Sequence, residues 1–446
     1  MINGNGAGEL DWREEHAYTQ GVQAFVYGFP WIHLSSLRYL WTNVPRDPER
    51  SPYAALNQFW HARQLTDASY RDGGSPNQDV LYSIAWLDVG KEPIILTHPH
   101  MGDRYFAFLM AGMDSDNFAY VGTRTTGSAA GSFAIIGPGW DGTLPADVHA
   151  LPASRTPAVL IMGRTLIDGP ADLPTVTTLQ DQYRLTPLSR WGSDEPAPED
   201  RNVWPPFADD GDPLAPWKTM NKAMAENPPG RHSDLVDSWA EIGLGPGLDV
   251  DALDDATKRG LARAAVRGRE LIGVAMGGRG IVRNGWISPP ANIGRSGDSG
   301  DFLTRAAVQC LGAIVADDPD EAIIALTFVD SAGDALTGDK AYEIRFGAGI
   351  QLLGRAFWSL TLYGLDTNFV DNPINRYAIG DRTPDLTYDE HGGLTLEIRS
   401  TPPATGESNW LPCPQTGPYF LVLRLILPSD EAIDGSWSPP PVQGVT

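Results

Sequence analysis

Apolar positions near the start of the chain recur at helical spacing. Tyr18, Val22, Phe25, Val26 and Phe29 predict a helix over residues 13–28, stopped by Gly28-Phe29-Pro30. From residue 55 to about 190 the pattern shortens to strands. Val80-Leu81-Tyr82-Ser83-Ile84-Ala85-Trp86-Leu87 places large residues on both faces, as expected of a strand covered on both sides. Ile94-Ile95-Leu96, Tyr105-Phe106-Ala107-Phe108-Leu109, Phe133-Ala134-Ile135-Ile136 and Ala158-Val159-Leu160-Ile161-Met162 are further short apolar runs bounded by Gly, Pro or Asp. Few helix-period segments fall between them, which predicts an antiparallel sandwich or jelly roll over a parallel sheet.

Residues 192–212 are polar and Pro-rich and read as a linker or surface excursion. Helices are expected after it. Pro216 suits a first helical turn with Trp217, Met220 and Met224 on one face. Asp254 or Asp255 can cap a longer helix that ends at Gly277-Gly278. Phe302, Ala306, Cys310 and Ala313 mark one more helix. Strands return at Ile323–Leu326, Tyr342–Phe346, Phe357–Tyr363, Leu394–Ile398 (entered through a His391-Gly392-Gly393 hairpin turn) and Tyr419–Leu423. The tail Trp437-Ser438-Pro439-Pro440-Pro441 reads as too irregular to extend a sheet. The expected fold is therefore mostly β with a helical middle (α+β): a first β domain with its N-terminal helix over 1–190, a helical connection over 191–320, and a second β-sandwich over 321–446.

Composition narrows the function classes. A chain of 446 residues with 33 basic and 56 acidic side chains carries a formal net charge of -23. Nucleic acid and anionic membranes both demand clustered positive charge, so neither is expected as a partner. No apolar run approaches the ~18–20 residues of a membrane span. The start, Met1-Ile2-Asn3-Gly4-Asn5-Gly6, lacks the basic-then-apolar pattern of a secretory signal, and a cytoplasmic setting is the expectation. Cys310 and Cys413 have no partner motif and read as buried free thiols.

Several multi-residue strings are family-like. Pro76-Asn77-Gln78-Asp79-Val80-Leu81-Tyr82-Ser83, with Trp86-Leu87-Asp88, Glu92-Pro93, Arg104-Tyr105 and Gly137-Pro138-Gly139-Trp140, resembles the signature of the DUF1254 family. Asn284-Gly285-Trp286, Ala356-Phe357-Trp358-Ser359-Leu360-Thr361-Leu362-Tyr363, Asn372-Pro373-Ile374-Asn375-Arg376-Tyr377 and Ser408-Asn409-Trp410-Leu411-Pro412 are similar to the partner DUF1214 family. The resemblance spans nearly the whole chain in the usual order. It implies two β-sandwich or jelly-roll-like domains with helices between them. Members often carry an export signal, which this sequence does not display. No family-wide reaction comes with the resemblance, so chemistry must come from the residues.

The first candidates are Asn77, Asp79 and Tyr82. Asp79 can act as a general acid or base if burial raises its pKa, with Tyr82 as proton donor, unless Asn77 and Asp79 only shape a turn after Pro76. Arg104 can clamp an oxyanion through its planar fork, and Asp114 sits in a loop after a strand; an internal Arg–Asp pair is the competing expectation. Arg376 and Tyr377 suit an anionic or hydroxylated group, and Trp410 can serve as a stacking platform. His98-Pro99-His100 lacks a third metal ligand and reads as exposed strand-end histidines. Asp330–Asp334 lacks the acidic ladder of a calcium loop, Gly122–Gly127 is not a phosphate loop, and no Gly-x-Ser-x-Gly elbow appears.

These features favour a cofactor-independent acid/base enzyme, a hydrolase or a lyase/hydratase, acting on a small, largely neutral organic or carbohydrate substrate in a cleft between the two sandwiches. No metal and no cofactor is expected, and a homo-oligomer is left open. Asp79, Asp114 and Tyr82 are the expected catalytic groups; Asn77, Arg104, Arg376, Tyr377 and Trp410 are the expected binding groups. The alternative is a non-catalytic glycan- or protein-binding assembly protein, whose polar motif residues would lie in turns and interdomain contacts.

Overall fold

The computed structural model describes residues 11–445 apart from 48, 73, 194–197 and 209. Residues 1–10, on which the expectation about an export signal rests, and part of the 192–212 excursion lie outside the described residues.

Strands β1 to β9, numbered in chain order, build the first sandwich. One sheet runs β1 (Trp60–His61), β2 (Val80–Asp88), β8 (Ala158–Leu166), β4 (Phe106–Gly112), β5 (Asn117–Gly122), and the other β7 (His149–Ala150), β6 (Gly131–Ile135), β3 (Ile94–His98), β9 (Arg184–Pro187). Neighbours are antiparallel except β6 and β7. The double-faced apolar pattern of β2, β4 and β8 has a direct cause. Leu87, Phe106, Phe108 and Ile161 pack toward Ile94, Leu96 and Phe133 of the facing sheet. The intervening Trp86, Leu109, Leu160 and Met162 lie under a layer of helices.

That layer holds helices Trp12–Asn43, Ala215–Glu226 and Asp255–Met276. The first does not stop at Pro30 as expected, but runs through it to Asn43. Proline leaves the Val26 carbonyl without its donor four residues on, at a cost of ~3 kcal/mol. Burial of Phe25, Tyr27, Phe29, Trp31 and Leu34 in the layer stabilises by about 1.5–3 kcal/mol each, which outweighs that loss. Gly260 lets the backbone of the first helix approach, since a Cβ there would collide with the Glu14 carbonyl. Asp254 caps the third helix by accepting the N–H groups of Ala256 and Thr257. The helix expected around Phe302–Ala313 is one α-turn, Phe302–Thr304, that widens into a π-helical segment, Arg305–Gly312.

Strands β10 to β19 build the second sandwich. Its larger sheet runs β10 (Ile281–Arg283), β11 (Trp286–Ser288), β12 (Ala322–Thr327), β18 (Tyr419–Pro428), β14 (Gly354–Gly364), β15 (Ala378–Gly380). The smaller runs β17 (Trp410–Pro412), β16 (Leu394–Arg399), β13 (Ala341–Phe346), β19 (Gln443–Val445). Trp358, Leu360, Leu423 and Leu425 meet Ile344, Leu396 and Ile398 between the sheets. Two expectations change here. The turn before Leu394 makes no hairpin, because β16 pairs with β13 and β17 instead of a strand just upstream. The Pro-rich tail does extend a sheet: Trp286 Nε1 donates to the Pro440 carbonyl (2.8 Å) and anchors it, and β19 then pairs with β13.

The outer face of the six-stranded sheet meets the first sandwich. Phe357 and Ile426 pack with Val80, Tyr105 and Leu166 there, and the polar positions of the same face, Ser359, Thr361, Tyr363 and Arg424, find partners across or along that junction.

Candidate functional site

The polar residues of the first family-like string meet the second sandwich. Asn77 Oδ1 accepts the backbone N–H groups of Asp79 and Val80 (3.0 Å each), which fixes the turn into β2. Asn77 Nδ2 donates to the Tyr82 hydroxyl (2.9 Å). The Asp79 side chain turns the other way. Its Oδ2 accepts from Ser359 Oγ (2.7 Å) and its Oδ1 from Arg382 Nη2 (2.6 Å), the arginine lying over the Phe357 ring. Asp79 is thus tied across the junction through both oxygens, and the three residues do not converge on a hollow.

The other expected binding groups are placed as follows. Arg104 grips both oxygens of Asp172 and the Leu166 carbonyl (2.7 Å), so its partner is Asp172 and not Asp114. Arg376 Nη1 donates to the carbonyls of Glu407 and Trp410, holding the 407–410 loop. Tyr377 lies at the end of an aromatic stack formed with Phe369 (4.8 Å), Tyr363 and Phe420. Trp410 is 0% exposed, its indole N–H given to the Arg399 carbonyl (2.8 Å). A ring with no exposed face is no platform: its place in β17 turns it into the sandwich. His98 is buried rather than exposed, parallel to Phe133 at 5.7 Å, because β3 turns it inward.

Of the expected groups, Asp114 lines a recess. The β4–β5 loop, Met113–Asp116, carries it to a recess of about 220 Å³, counting space open to solvent, with enclosed room for about one water-sized occupant. Ser115, at the centre of the loop, is fully buried in the left-handed region (φ 66°), a conformation costing of the order of 1 kcal/mol in a non-glycine residue. This kink sends Asp114 and Asp116 to the same recess. Asp116 is 2% exposed; its Oδ1 accepts the Gly297 N–H (3.0 Å) and Gln309 Nε2 (3.1 Å). Burial and the neighbouring Asp114 carboxylate push the Asp116 pKa up to about 6, while Arg305 pulls the other way.

Arg155 spans the acids, with Nε 3.3 Å from Asp114, Nη2 3.8 Å from Asp116 and Nη1 on Asp298. Arg231 shares Asp298 at 3.1 Å. At the base lies Arg305, 2% exposed, boxed by Tyr27 (4.8 Å), Phe302 (5.1 Å) and Trp31 (5.6 Å). It donates to the Tyr27 carbonyl, but its Nε is buried without a partner and it enters no ion pair among the described residues. The π-helical segment explains the placement, since it starts at Arg305 and presents Gln309 to the same carboxylate. His232 closes the rim through Nε2 and the Gly297 carbonyl (3.1 Å). Such a recess can exchange a proton with a small guest and hold an electron-rich atom of it by the arginines.

Sequence reasoning singled out Asp114 in the loop after a strand but not Asp116, two residues on in the same loop. Nothing local pointed to Arg155, Asp298 or Arg305, which arrive from three separate segments. Both cysteines are free and buried as expected, and burial pushes the Cys310 thiol up to about 12, which suppresses the thiolate needed for nucleophilic chemistry. Among the described residues no three His, Cys, Asp or Glu side chains are grouped to hold a metal, and no helix is long and apolar enough to cross a membrane.

Comparison with known proteins gives family and fold. The family described as "Protein of unknown function (DUF1254)" matches residues 56–187, and "Protein of unknown function (DUF1214)" matches residues 321–430. Among solved structures, the chain is similar to the VPA0106 protein from Vibrio parahaemolyticus, with a TM-score of 0.75 at 24% identity over 96% of this chain and 100% of that one. An uncharacterized protein from Burkholderia cenocepacia aligns at a TM-score of 0.46 and 13% identity, over 97% of this chain and 94% of that one. No curated protein matches.

Proposed function

From the premise that this chain belongs to the two-domain DUF1254/DUF1214 family, we propose that it is a cofactor-independent acid/base enzyme, of hydrolase or lyase/hydratase type, with Asp116 as its proton-transfer group. The observation that carries this reading is a buried carboxyl with a pKa of about 6, held beside a second carboxylate in a cleft. Such a group exchanges protons readily near neutral pH, where an ordinary aspartate is fully ionised and a poor acid. Burial raises Asp116 first and the Asp114 carboxylate adds to it, and Arg155 lies 3.3 Å from Asp114. Strain at Ser115 and the close Gln309 contact hold the pair in place. The substrate in this reading is a small organic molecule that reaches the acids from the open side of the recess, whose enclosed room takes about one water.

The test is a turnover screen over p-nitrophenyl esters and glycosides, 2-hydroxy acids and 2-enoic acids. Turnover on a hit is expected to change with an apparent pKa near 6 and to fall about 100-fold or more in Asp116→Asn. Turnover unchanged in both Asp116→Asn and Asp114→Asn removes the assignment.

One observation favours the second reading, a glycan- or protein-binding assembly protein. Asn77, Asp79, Arg104 and Arg376 are spent on turns, loops and the junction, as a scaffold would spend them. A groove of about 720 Å³, also counting space open to solvent, on the second sandwich, lined by Ile281, Pro290, Ile323, Ile433 and Trp437, would then be the working surface. Substitution of Trp437 with loss of a glycan or protein partner, while turnover persists in no assay, would favour it.

A further inference from the structure

The groove on the second sandwich is far roomier than the recess of Asp114 and Asp116. Its inner room is about 150 Å³, the size of an apolar cavity that admits one benzene ring, against about 10 Å³ at the recess. One wall is the hairpin of β10 and β11, turned at Asn284 and Gly285, both at positive φ. The other is the chain from the helical turn Asp430–Ile433 to Pro439. Hydrogen bonds tie the two walls together. Arg283 donates to the Gly435 carbonyl, Asn284 Nδ2 to the Pro439 carbonyl (3.0 Å), and Trp286 Nε1 to the Pro440 carbonyl (2.8 Å). The room between them is therefore held open by the fold itself.

Its lining is apolar with a few unspent donors. Pro289, Pro290, Pro319 and Pro439 bring no N–H, so much of the wall cannot donate to water. Ile281, Ile323, Ile433 and Trp437 complete the apolar bed. Arg283 is exposed, bonds the Gly435 carbonyl, and pairs with no carboxylate among the described residues. Gly435, at φ 76°, makes space for the guanidinium, since a Cβ there would lie 2.6 Å from Nη1. Trp437 spends its backbone N–H on the Glu431 carbonyl (2.8 Å), while its indole N–H makes no hydrogen bond among the described residues. The other charged group of the lining, Asp434, accepts the Ser436 N–H (2.8 Å).

We infer that this groove binds a small aromatic monocarboxylic acid, with its ring on the proline and isoleucine bed and its carboxylate on the Arg283 guanidinium. Size selects a single ring. Charge selects a single carboxylate, because the planar fork of Arg283 matches a two-oxygen acceptor and Asp434 opposes a second negative charge. The groove shares no lining residue with the recess, so the inference stands apart from the catalytic reading.

The experiment measures binding to the full chain at pH 7.5 by calorimetry and saturation-transfer NMR, with benzoate and phenylacetate as probes. Benzyl alcohol keeps the ring without the charge, acetate keeps the charge without the ring, and benzylamine reverses the charge. Benzoate and phenylacetate are expected to bind at least about tenfold more tightly than each of these three. Arg283→Gln, at an exposed position, is expected to weaken benzoate about tenfold and to leave benzyl alcohol unchanged. Ile433→Glu puts a carboxylate into the apolar bed and is expected to abolish benzoate binding. Absence of benzoate binding, equal binding of benzyl alcohol or benzylamine, or a benzoate affinity unmoved in Arg283→Gln overturns the inference. Asp116→Asn is expected to bind benzoate as the parent does; loss of binding in that variant would place the acid in the recess and overturn the inference as well. Turnover that depends on Asp116 bears on the recess alone.

Discussion

The junction around Asp79 and the recess around Asp116 are both buried, both built on an aspartate from the first sandwich, and both crossed by arginines. At the junction the carboxylate is tied through both oxygens to Ser359 and Arg382, and the neighbouring pairs Arg164–Asp317 (2.8 Å) and Arg124–Glu321 (2.6 Å) bind the first sandwich to the stretch entering β12. At the recess the Arg305 Nε is buried without a hydrogen-bond partner, a serine is held at φ 66°, and a carboxyl has its pKa raised to about 6. A saturated polar cluster fixes geometry, because every group in it would lose a partner on moving. An unsaturated one keeps free energy that a guest can release. Richness in Asp and Arg therefore does not separate scaffold from candidate site; how completely each carboxylate is paired differs between the two regions.

The contrast breaks most sharply at Asp79. Asp79→Ala leaves Arg382 and Ser359 without their acceptor in a largely buried contact and is expected to cost about 3 kcal/mol in urea denaturation. A loss under about 1 kcal/mol would mean that the junction is not the lock described. Asp116→Asn is expected to act in the opposite sense. The folded-state pKa of Asp116 is raised from 3.8 to about 6, so its stabilising contribution is complete below about pH 4 and is lost as pH rises through about 6. The asparagine variant, permanently neutral, should then exceed the parent by about 2 kcal/mol at pH 7.5 and lose that advantage by pH 4. Melting curves at the two pH values decide it, and a difference that does not depend on pH contradicts the raised pKa. The smallest effect is at Ser115. Ser115→Gly relieves the left-handed strain and is expected to change stability by no more than about 1 kcal/mol in the favourable direction in urea denaturation. A clear loss of stability would show that the strain at this position is incidental.

Much of the architecture was legible because it rests on local rules. Short apolar runs marked β2 and β8, and Asp254 announced its cap. The misreadings share one cause. Pro30 ends a helix by local chemistry, yet the helix continues because neighbouring helices bury its flanks. The Pro-rich tail looks unfit for a sheet, yet it becomes an edge strand once Trp286 anchors it. Asp114 was read correctly as a loop residue, but Trp410 was taken for an exposed ring because its sequence neighbourhood does not reveal which way β17 faces.

By itself the sequence determined the family, the two antiparallel sandwiches with helices between them, and the strongly acidic balance, since period, turn residues and recurring strings are properties of neighbours along the chain. Tertiary structure alone decided which aspartate would be spent and which kept in reserve. Whether a carboxylate is tied to an arginine and a serine, as Asp79 is, or desolvated in a recess, as Asp116 is, depends on groups brought in from about 180 to 300 residues away. Desolvation and pairing are set by that assembly, and no local pattern encodes them.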